Sequence, residues 1–330
     1  MVLRGSLTQE AHPFDHEFAL PNEARKHFRR DGFVKLKSFF NEAAVDFMRS
    51  RFYLETDLGM PSYYSDTRKS VSFSRSKYDF ETEKQEVYEL LARPYIQRTL
   101  TKLADCDLFL TFETGYEITQ GINEGVPWHV DTQSYGFQMP AEFACSVWTP
   151  LHAISTHNHK GGLTYVSNDV LSGKFVYEQV ESAIVSTIES KRKSGIETTA
   201  FEYHQLKGSV FNSPTFLAIL EHNRIEHDFQ LGDALVFNKW VPHRSVPLKE
   251  GGQKHRGAYV LRFVDATSHY DLNWARLMEY GYEHYGVAIT RQHMEIGEAG
   301  AKHGDLLSEC EYFDNRKSRL LSRNGLKHRS

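Results

Sequence analysis

A series of short β-type segments constrains the fold most strongly. Runs rich in β-branched and aromatic residues cover 108–118, 128–131, 143–151 and 163–166, and similar runs follow at 216–220, 235–238 and 258–264. Turn-forming Gly, Pro, Asn and Asp residues separate them. Short strands at such spacing are typical of a β-sandwich or β-barrel. We therefore predict a mainly β core in which early and late strands are neighbours.

Helical patterns flank and interrupt this core. Helices are predicted at 22–30, with Asn22 as N-cap, at 82–92 and 94–104, and after Asn41, which can cap the next one. Between 170 and 204, apolar residues recur every fourth position (Val176, Val180, Ile184 and Ile188), which indicates an amphipathic helix. A helix after 270 is expected to end at Gly281. Residues 61–80 lack periodicity and are predicted to form a loop.

No internal repeat or linker divides the chain. We therefore predict one domain over 1–330. It comprises a helical N-terminal part at 20–105, a β core at 106–265 with a helical insert at 170–204, and a helical C-terminal extension at 270–330.

Charge and composition limit the partners. The formal net charge is −4, which gives no reason to expect nucleic acid or an anionic membrane as a partner. The three cysteines have no paired spacing, residues 1–16 are polar, and no run approaches the roughly 18 apolar residues of a membrane span. We expect a cytoplasmic protein with no membrane partner, and the sequence favours no particular oligomeric state. The basic run 316–329 is expected to be a solvated tail.

The pattern that carries chemistry is a histidine and a carboxylate two residues apart. Residues i and i+2 of a strand lie on one face, so His129 and Asp131 can reach a common point. His243 lies 112 residues beyond Asp131 and must be delivered by the fold. Two histidines and one carboxylate form the ligand set that leaves open positions on a non-haem Fe(II). We predict these three residues as metal ligands, with no catalytic residue beyond the metal centre.

Simpler interpretations of these residues stay open. A His-x-Asp spacing also arises by chance, when the two side chains only bond each other or flank a turn. Zinc held by the same residues and a water is the alternative metal chemistry. Two other histidine groups, around His157 and around His227, lie in polar segments and are predicted to be solvated loops or turns.

A possible anion site lies further along the chain. Arginine at the start of an apolar strand is costly to bury unless an anion meets it. Arg256 has this position, and a dicarboxylic co-substrate would supply the anion, with a further hydrogen bond from Ser245. Arg262 points to the same sheet face roughly 20 Å away. We predict that Arg262 forms a surface ion pair instead.

Taken together, these segments resemble the phytanoyl-CoA dioxygenase superfamily of Fe(II)/2-oxoglutarate-dependent oxygenases. The resemblance runs from Phe28, through Asp31 and Gly32, to Phe263. It includes the first metal motif at 128–131 with Tyr135, the following strand at 146–151, a glycine turn at 161–166 and the second metal motif at 232–245. Two features depart from it: residues 167–169 are Ser-Asn-Asp where Gly-Ser-His is usual, and the segment from His243 to Arg256 is slightly long.

The resemblance implies a double-stranded β-helix core, the jelly-roll or cupin-like fold, with His129, Asp131 and His243 on iron. It also implies that Arg256 and Ser245 hold the distal carboxylate of 2-oxoglutarate, with Trp148 close to it. The implied cofactors are Fe(II), 2-oxoglutarate and O2. Halogenating relatives have a small residue in place of the metal carboxylate, so Asp131 favours hydroxylation, desaturation or radical cyclisation.

The predicted function is oxidation, foremost hydroxylation, of an unactivated C–H bond of a small molecule in secondary metabolism, with release of succinate and CO2. Predicted substrate-pocket residues are Tyr135, Gln133, Arg75 and Lys77, the last two because they lie in the polar segment 61–80. The alternative of another class is a non-catalytic metal- or ligand-binding β-barrel.

Overall fold

The computed structural model describes residues 11–55, 57–61, 71–80, 84–199, 202, 206, 210–211, 213–285 and 291–323. The strands are β1 Phe33–Leu36, β2 Asp57–Pro61, β3 Val71–Tyr78, β4 Leu108–Thr119, β5 Ala144–Pro150, β6 Leu163–Tyr165, β7 Ile225–Glu226, β8 Ala234–Asn238, β9 His243–Ser245, β10 His255–Asp265 and β11 Leu320–Leu321. The helices are α1 Ala24–Asp31, α2 Glu42–Glu55, α3 Lys84–Leu91, α4 Pro94–Ala104, α5 Ser182–Lys193, α6 Pro214–His222, α7 Leu272–Tyr285, α8 Gln292–Glu298 and α9 Arg316–Arg319.

Among these residues the strands form two antiparallel sheets. The larger has the order β1-β8-β5-β10-β4-β3-β2, with β11 also paired to β4, and the smaller has the order β7-β6-β9. Strands far apart in sequence are therefore neighbours, as the predicted β core requires. None of the helices in the described part of the chain is long and apolar enough to cross a membrane.

The larger sheet is buried on both faces. On one face Leu261 of β10 packs with Met48 and Phe52 of α2. On the other, Val260 of β10 packs with Leu163 of the smaller sheet. Because side chains alternate along a strand, each central strand places apolar side chains in the packing on both faces of the sheet. Its sequence is therefore a nearly continuous apolar run. The two sheets enclose the interior of a jelly-roll with helical flanks, which confirms the predicted fold class.

Several predicted elements are confirmed at their borders. The helix at 94–104 has Pro94 in its first turn, and Asn41 Oδ1 accepts a hydrogen bond from the Ala44 N–H (3.0 Å) at the start of α2. The predicted helix within 170–204 is present as a π-helical turn at 176–181 followed by α5. The one-domain organisation stays a prediction.

The prediction of a strand at 216–220 is wrong, because these residues lie in α6. Ser213 Oγ accepts a hydrogen bond from the Phe216 N–H (3.3 Å), and Pro214 occupies the first helical turn. Both are signals of a helix N-terminus. A short apolar run cannot be assigned to strand or helix from its periodicity alone.

Other borders also differ from the predictions. Residues 71–78 of the predicted loop form β3, whereas 62–70 lie outside the described residues. The N-cap of α1 is Glu23 rather than Asn22, and α7 continues past Gly281 to Tyr285. The segment 128–131 is not a strand and forms only one bridge, between His129 and His243.

The basic segment near the C-terminus is only partly a solvated tail over its described part: Arg316 and Lys317 are exposed, whereas Arg319 is buried. Arg319 is 4% exposed, and its Nη1 donates to the carbonyl oxygens of Leu110 (3.3 Å) and Thr111 (3.1 Å). The guanidinium therefore ties α9 and β11 to the edge of β4. Residues 324–329 lie outside the described residues.

Gly115 tests the packing of α2 on the larger sheet. A Cβ at this position would lie 2.4 Å from Phe52 Cδ2 and 3.3 Å from the Ala258 carbonyl oxygen. Gly115→Ala is therefore expected to lower the free energy of unfolding by about 1–3 kcal/mol through overpacking. Urea unfolding followed by circular dichroism measures this loss.

Gly257→Ala on the adjacent β10 is the control for this change. Its nearest contact would be 3.3 Å, to Leu151 Cδ1, so a smaller loss is expected. Equal losses from the two variants would contradict the packing argument.

Candidate metal centre

The structure brings His129, Asp131 and His243 to one point. One potential ligand atom from each lies within 4.8 Å of the others, and His243 Nε2 is 3.9 Å from Asp131 Oδ1. The backbones of His129 and His243 exchange two hydrogen bonds, each 2.9 Å, and the Asp131 N–H donates to the Lys239 carbonyl (3.2 Å). The backbone bridge between His129 and His243 thus brings the three side chains together, in place of the strand that was predicted at 128–131.

Both imidazoles are held with the same ring orientation. His129 Nδ1 is 2.7 Å from the Pro127 carbonyl oxygen, and His243 Nδ1 is 2.9 Å from the Val241 carbonyl oxygen. A carbonyl only accepts, so each Nδ1 carries the hydrogen and each Nε2 keeps its lone pair. Such a second hydrogen bond is the usual support of a metal-binding histidine.

The electrostatic environment gives the three groups the charge states that metal binding requires. Burial lowers the pKa of both His129 and His243, so the rings are neutral near pH 7. Burial by itself would raise the pKa of Asp131, but the neighbouring Arg262 guanidinium outweighs it and holds that pKa at about 2. Neutral imidazoles and an ionised carboxylate are the metal-binding forms. The donor set therefore fits a divalent metal ion.

Asp131 has a layer of support that the sequence did not indicate. Its Oδ2 accepts hydrogen bonds from Arg262 Nη1 (2.7 Å) and Ser146 Oγ (3.2 Å). Arg262 is 5% exposed, so the prediction of a surface ion pair is wrong. The loop that carries Asp131 covers this end of β10. The alternation of side chains along the strand fixes the face on which Arg262 lies but not what covers that face. The available signal was that Arg262 shares its strand face with the apolar Val260 and Val264, which alternation places in the core.

Arg256 and Trp148 are in contact at the other end of the interior, and Ser245 lies on β9 two residues beyond His243. Arg256 is 1% exposed, its Nε donates to the Gly161 carbonyl, and its guanidinium is 5.6 Å from the Trp148 ring centroid. On β9, Ser245 is opposite Leu163 of β6 in the antiparallel pairing of these two strands. No carboxylate among the described residues lies within ion-pair distance of Arg256, and burial lowers its pKa to about 10. A buried guanidinium without a counter-ion fits the carboxylate of a bound anion.

The predicted substrate residues are not all on the interior. Arg75 and Lys77 of β3 pair with Glu117 and Gly115, on the face that α2 covers. Arg75 Nε lies 3.7 Å from Glu117 Oε1. Their prediction as pocket residues is therefore wrong, because the segment is a strand and its parity turns them outward.

Two other predicted pocket residues follow Asp131 in the turn 133–135. Tyr135 is fully buried, and its hydroxyl donates to the Cys145 carbonyl (2.8 Å) and lies 3.1 Å from Ser146 Oγ. It therefore supports the Ser146 side chain that bonds Asp131. Gln133 is half-buried on the same turn.

The competing histidine groups bind backbone or side chains instead of a common point. The His152 Nδ1 accepts a hydrogen bond from the Gly257 N–H (3.1 Å), and His227 Nδ1 bonds the Tyr165 hydroxyl. Within the described residues, the candidate metal-binding group is His129, Asp131 and His243.

A jelly-roll with two histidines and one carboxylate at its interior defines a class, the non-haem iron oxygenases. The family model of phytanoyl-CoA dioxygenase (PhyH) matches residues 28–255, which is 228 of the 330 residues. The chain belongs to the phytanoyl-CoA dioxygenase family. The predicted enzyme class, a 2-oxoglutarate-dependent dioxygenase that uses Fe(II) and O2, is confirmed at the level of this family.

Comparison with solved structures shows the same fold. The epimerase SnoN, in complex with Fe3+, alpha ketoglutarate and nogalamycin RO, has a TM-score of 0.57 at 14% identity, with 89% of this chain and 96% of that chain covered. The carbocyclase SnoK from nogalamycin biosynthesis has a TM-score of 0.56 at 14% identity, with 89% and 95% covered. EctD from S. alaskensis, with 2-oxoglutarate and 5-hydroxyectoine, has a TM-score of 0.50 at 14% identity, with 79% and 83% covered. A comparison with curated protein sequences finds no match.

The buried histidines predict a pH dependence for the metal-free protein. Burial lowers the pKa of His243, so below the ordinary value of about 6.5 the unfolded state binds a proton that the folded state does not. Stability should therefore fall as the pH drops below about 6.5, with His243 contributing at most about 1.4 kcal/mol per pH unit. His243→Gln should flatten this slope in urea unfolding.

His157→Gln, a change of an exposed loop residue, is the control for this measurement and should keep the wild-type slope. An unchanged slope in His243→Gln would contradict a neutral buried imidazole at this position.

Proposed function

We propose that this protein is an Fe(II)/2-oxoglutarate-dependent oxygenase that hydroxylates an unactivated C–H bond of a small molecule, with release of succinate and CO2. His129, Asp131 and His243 are the proposed iron ligands. The observation that carries the proposal is the buried Arg256 guanidinium, which lacks a counter-ion on the same interior as an open three-residue metal site. A metal site by itself would not require that charge.

The residues of the chain have separate tasks in this proposal. When bound, the iron and 2-oxoglutarate supply the oxidising chemistry and the electrons that O2 needs. Arg256 and Ser245 bind the distal carboxylate, and Trp148 packs against the guanidinium and limits its motion. Ser245 lies two residues beyond His243 on β9, roughly 7 Å along the strand, a separation suited to a five-carbon diacid. The apolar walls around Val260 and Leu163 exclude water from the reacting atoms.

Hydroxylation is the proposed outcome among those the family chemistry allows. Asp131 occupies the position that halogenating relatives leave free, so halogenation is disfavoured. The carbocyclase SnoK and the epimerase SnoN share this fold, so cyclisation and epimerisation are the outcomes to compare with hydroxylation, together with desaturation. The mass of the product distinguishes them from hydroxylation, because only hydroxylation adds an oxygen atom to the substrate. A small-molecule substrate from secondary metabolism and a cytoplasmic location are parts of the same proposal.

Binding of 2-oxoglutarate tests the assignment before any substrate is known. Anaerobic protein with Fe(II) should develop a visible charge-transfer band when 2-oxoglutarate is added. Arg256→Gln should raise the dissociation constant for 2-oxoglutarate by at least about 30-fold, because it removes one side of a buried charge pair. Titration of the band measures both effects, and aerobic turnover should yield succinate.

Arg75→Gln is the matched control, since this arginine lies on the outer face of the sheet next to Glu117. It should leave 2-oxoglutarate affinity unchanged. Absence of a 2-oxoglutarate-dependent band in the wild-type protein would exclude the proposed function.

A further inference from the structure

The two carboxylate oxygens of Asp131 are in different surroundings. Oδ1 faces His243, with 3.9 Å between it and Nε2, and has a long contact with Ser134 Oγ (3.3 Å). Oδ2 points the other way and accepts from Arg262 Nη1 at 2.7 Å and from Ser146 Oγ at 3.2 Å. Oδ1 is thus the oxygen that lies nearest to His243 Nε2, and Oδ2 is the oxygen engaged by Arg262 and Ser146.

Arg262 is itself held in place by several contacts. Its Nη1 also donates to Ser146 Oγ (2.9 Å), and its Nη2 donates to the Tyr116 hydroxyl (3.0 Å). The guanidinium lies between the rings of Phe112 and Tyr135, 5.8 Å from each centroid. A guanidinium fixed by two separate acceptors and two rings cannot follow Asp131 if that carboxylate rotates.

The backbone is irregular at the same position. The register of β10 with β4 shifts between Arg262, opposite Phe112, and Phe263, opposite Leu110. Thr111 is the extra residue, and its hydroxyl donates to the Arg262 carbonyl (3.0 Å). Such β-bulges re-aim side chains and are frequent beside active sites.

From this geometry we infer that Arg262 is a positioning residue that reserves Oδ2 of Asp131. With Oδ2 held by Arg262, Asp131 would offer only Oδ1 to iron, and it would leave room at the metal for 2-oxoglutarate and O2. The inference rests on the proposed function. Arg262 contacts neither co-substrate nor substrate in this role and acts only through Asp131.

The charge of Arg262 gives this role a distinctive signature. In the metal-free protein the guanidinium is the counter-ion of the buried Asp131 carboxylate. After metal binding the same charge repels the dication and attracts a dianionic co-substrate. Loss of the guanidinium should therefore preserve or strengthen metal binding while it weakens 2-oxoglutarate binding. General loss of structure would weaken both.

The experiment compares wild type with Arg262→Gln under anaerobic conditions. Fe(II) affinity is measured by calorimetry, and 2-oxoglutarate affinity is measured by titration of the charge-transfer band. We expect the Fe(II) dissociation constant to stay within about threefold of wild type or to fall. The 2-oxoglutarate dissociation constant should rise by about tenfold or more, because a buried positive charge that attracts the dianion is lost. The rise in melting temperature on Fe(II) addition should follow the Fe(II) dissociation constant and so be similar to that of wild type, or larger if Fe(II) binds more tightly.

Arg51→Gln is the matched control. Arg51 forms a buried pair with Glu113 on the opposite face of the sheet, with Nε–Oε2 and Nη2–Oε1 distances of 3.0 and 3.1 Å. Its loss should lower stability but leave both dissociation constants and the Fe(II)-induced shift as in wild type. Arg262→Lys keeps the positive charge but loses the planar guanidinium that donates to two acceptors at once. Its 2-oxoglutarate affinity should therefore lie between those of wild type and Arg262→Gln.

The outcomes separate the possibilities. Equal weakening of both ligands in Arg262→Gln, or no change in either, would overturn the inference. If that variant does not fold, Tyr116→Phe decides, because it removes only the Nη2 acceptor: weaker 2-oxoglutarate binding with unchanged Fe(II) binding supports the inference, and unchanged binding of both overturns it. A wild-type protein without the charge-transfer band would refute the proposed function itself, whereas a normal wild type beside unaffected Arg262 variants refutes only the role of Arg262.

Discussion

The reciprocal pair of backbone hydrogen bonds between His129 and His243 is the contact on which the candidate site depends. These bonds join two segments that are separated by more than 100 residues, and they set the two imidazoles side by side with ring centroids 4.2 Å apart. The segment around His129 has no long strand to hold it. Its position relies on this bridge, on the Asp131–Lys239 backbone bond and on the pairing of β9 with β6. A carboxylate can then reach the same point without distortion of either sheet.

Two buried arginines on one face of β10 divide the interior electrostatically. Arg262 at one end has a carboxylate partner, whereas Arg256 at the other end has none among the described residues. Burial opposes both charges, and only a bound anion would compensate the second one as Asp131 compensates the first. The two ends of the interior thus differ in charge: the charge of Arg262 is compensated by Asp131 within the chain, and the charge of Arg256 is not compensated among the described residues.

The helical layer on the outer face of the larger sheet makes this interior possible. It buries the alternate side chains of β5 and β10, so that the residues of opposite parity are free to line the site. It also contains its own buried charges. Burial raises the pKa of Glu113 to about 7, and the neighbouring Arg51 guanidinium offsets only part of this effect. The Asp131–Arg262 pair differs, since the Asp131 pKa is held at about 2. The surroundings thus favour the ionised form of Asp131 far more strongly than that of Glu113.

Spacing and composition indicated the three candidate ligands, a mainly β core and the arginine expected to meet an anion, and the family resemblance added the jelly-roll class. Such features are readable from sequence because ligand chemistry and strand parity are local properties that a residue carries with it. Local signals also determined the Asn41 cap and the helix that begins at Pro94. They failed at 216–220, where a cap outweighed an apolar run, and at Arg75 and Lys77, where an unrecognised strand turned both residues outward. Only the tertiary structure decided that Arg262, Ser146 and Tyr135 support Asp131. Their roles arise from a loop that closes over the end of β10, and long-range contacts of that kind leave no periodicity in the sequence.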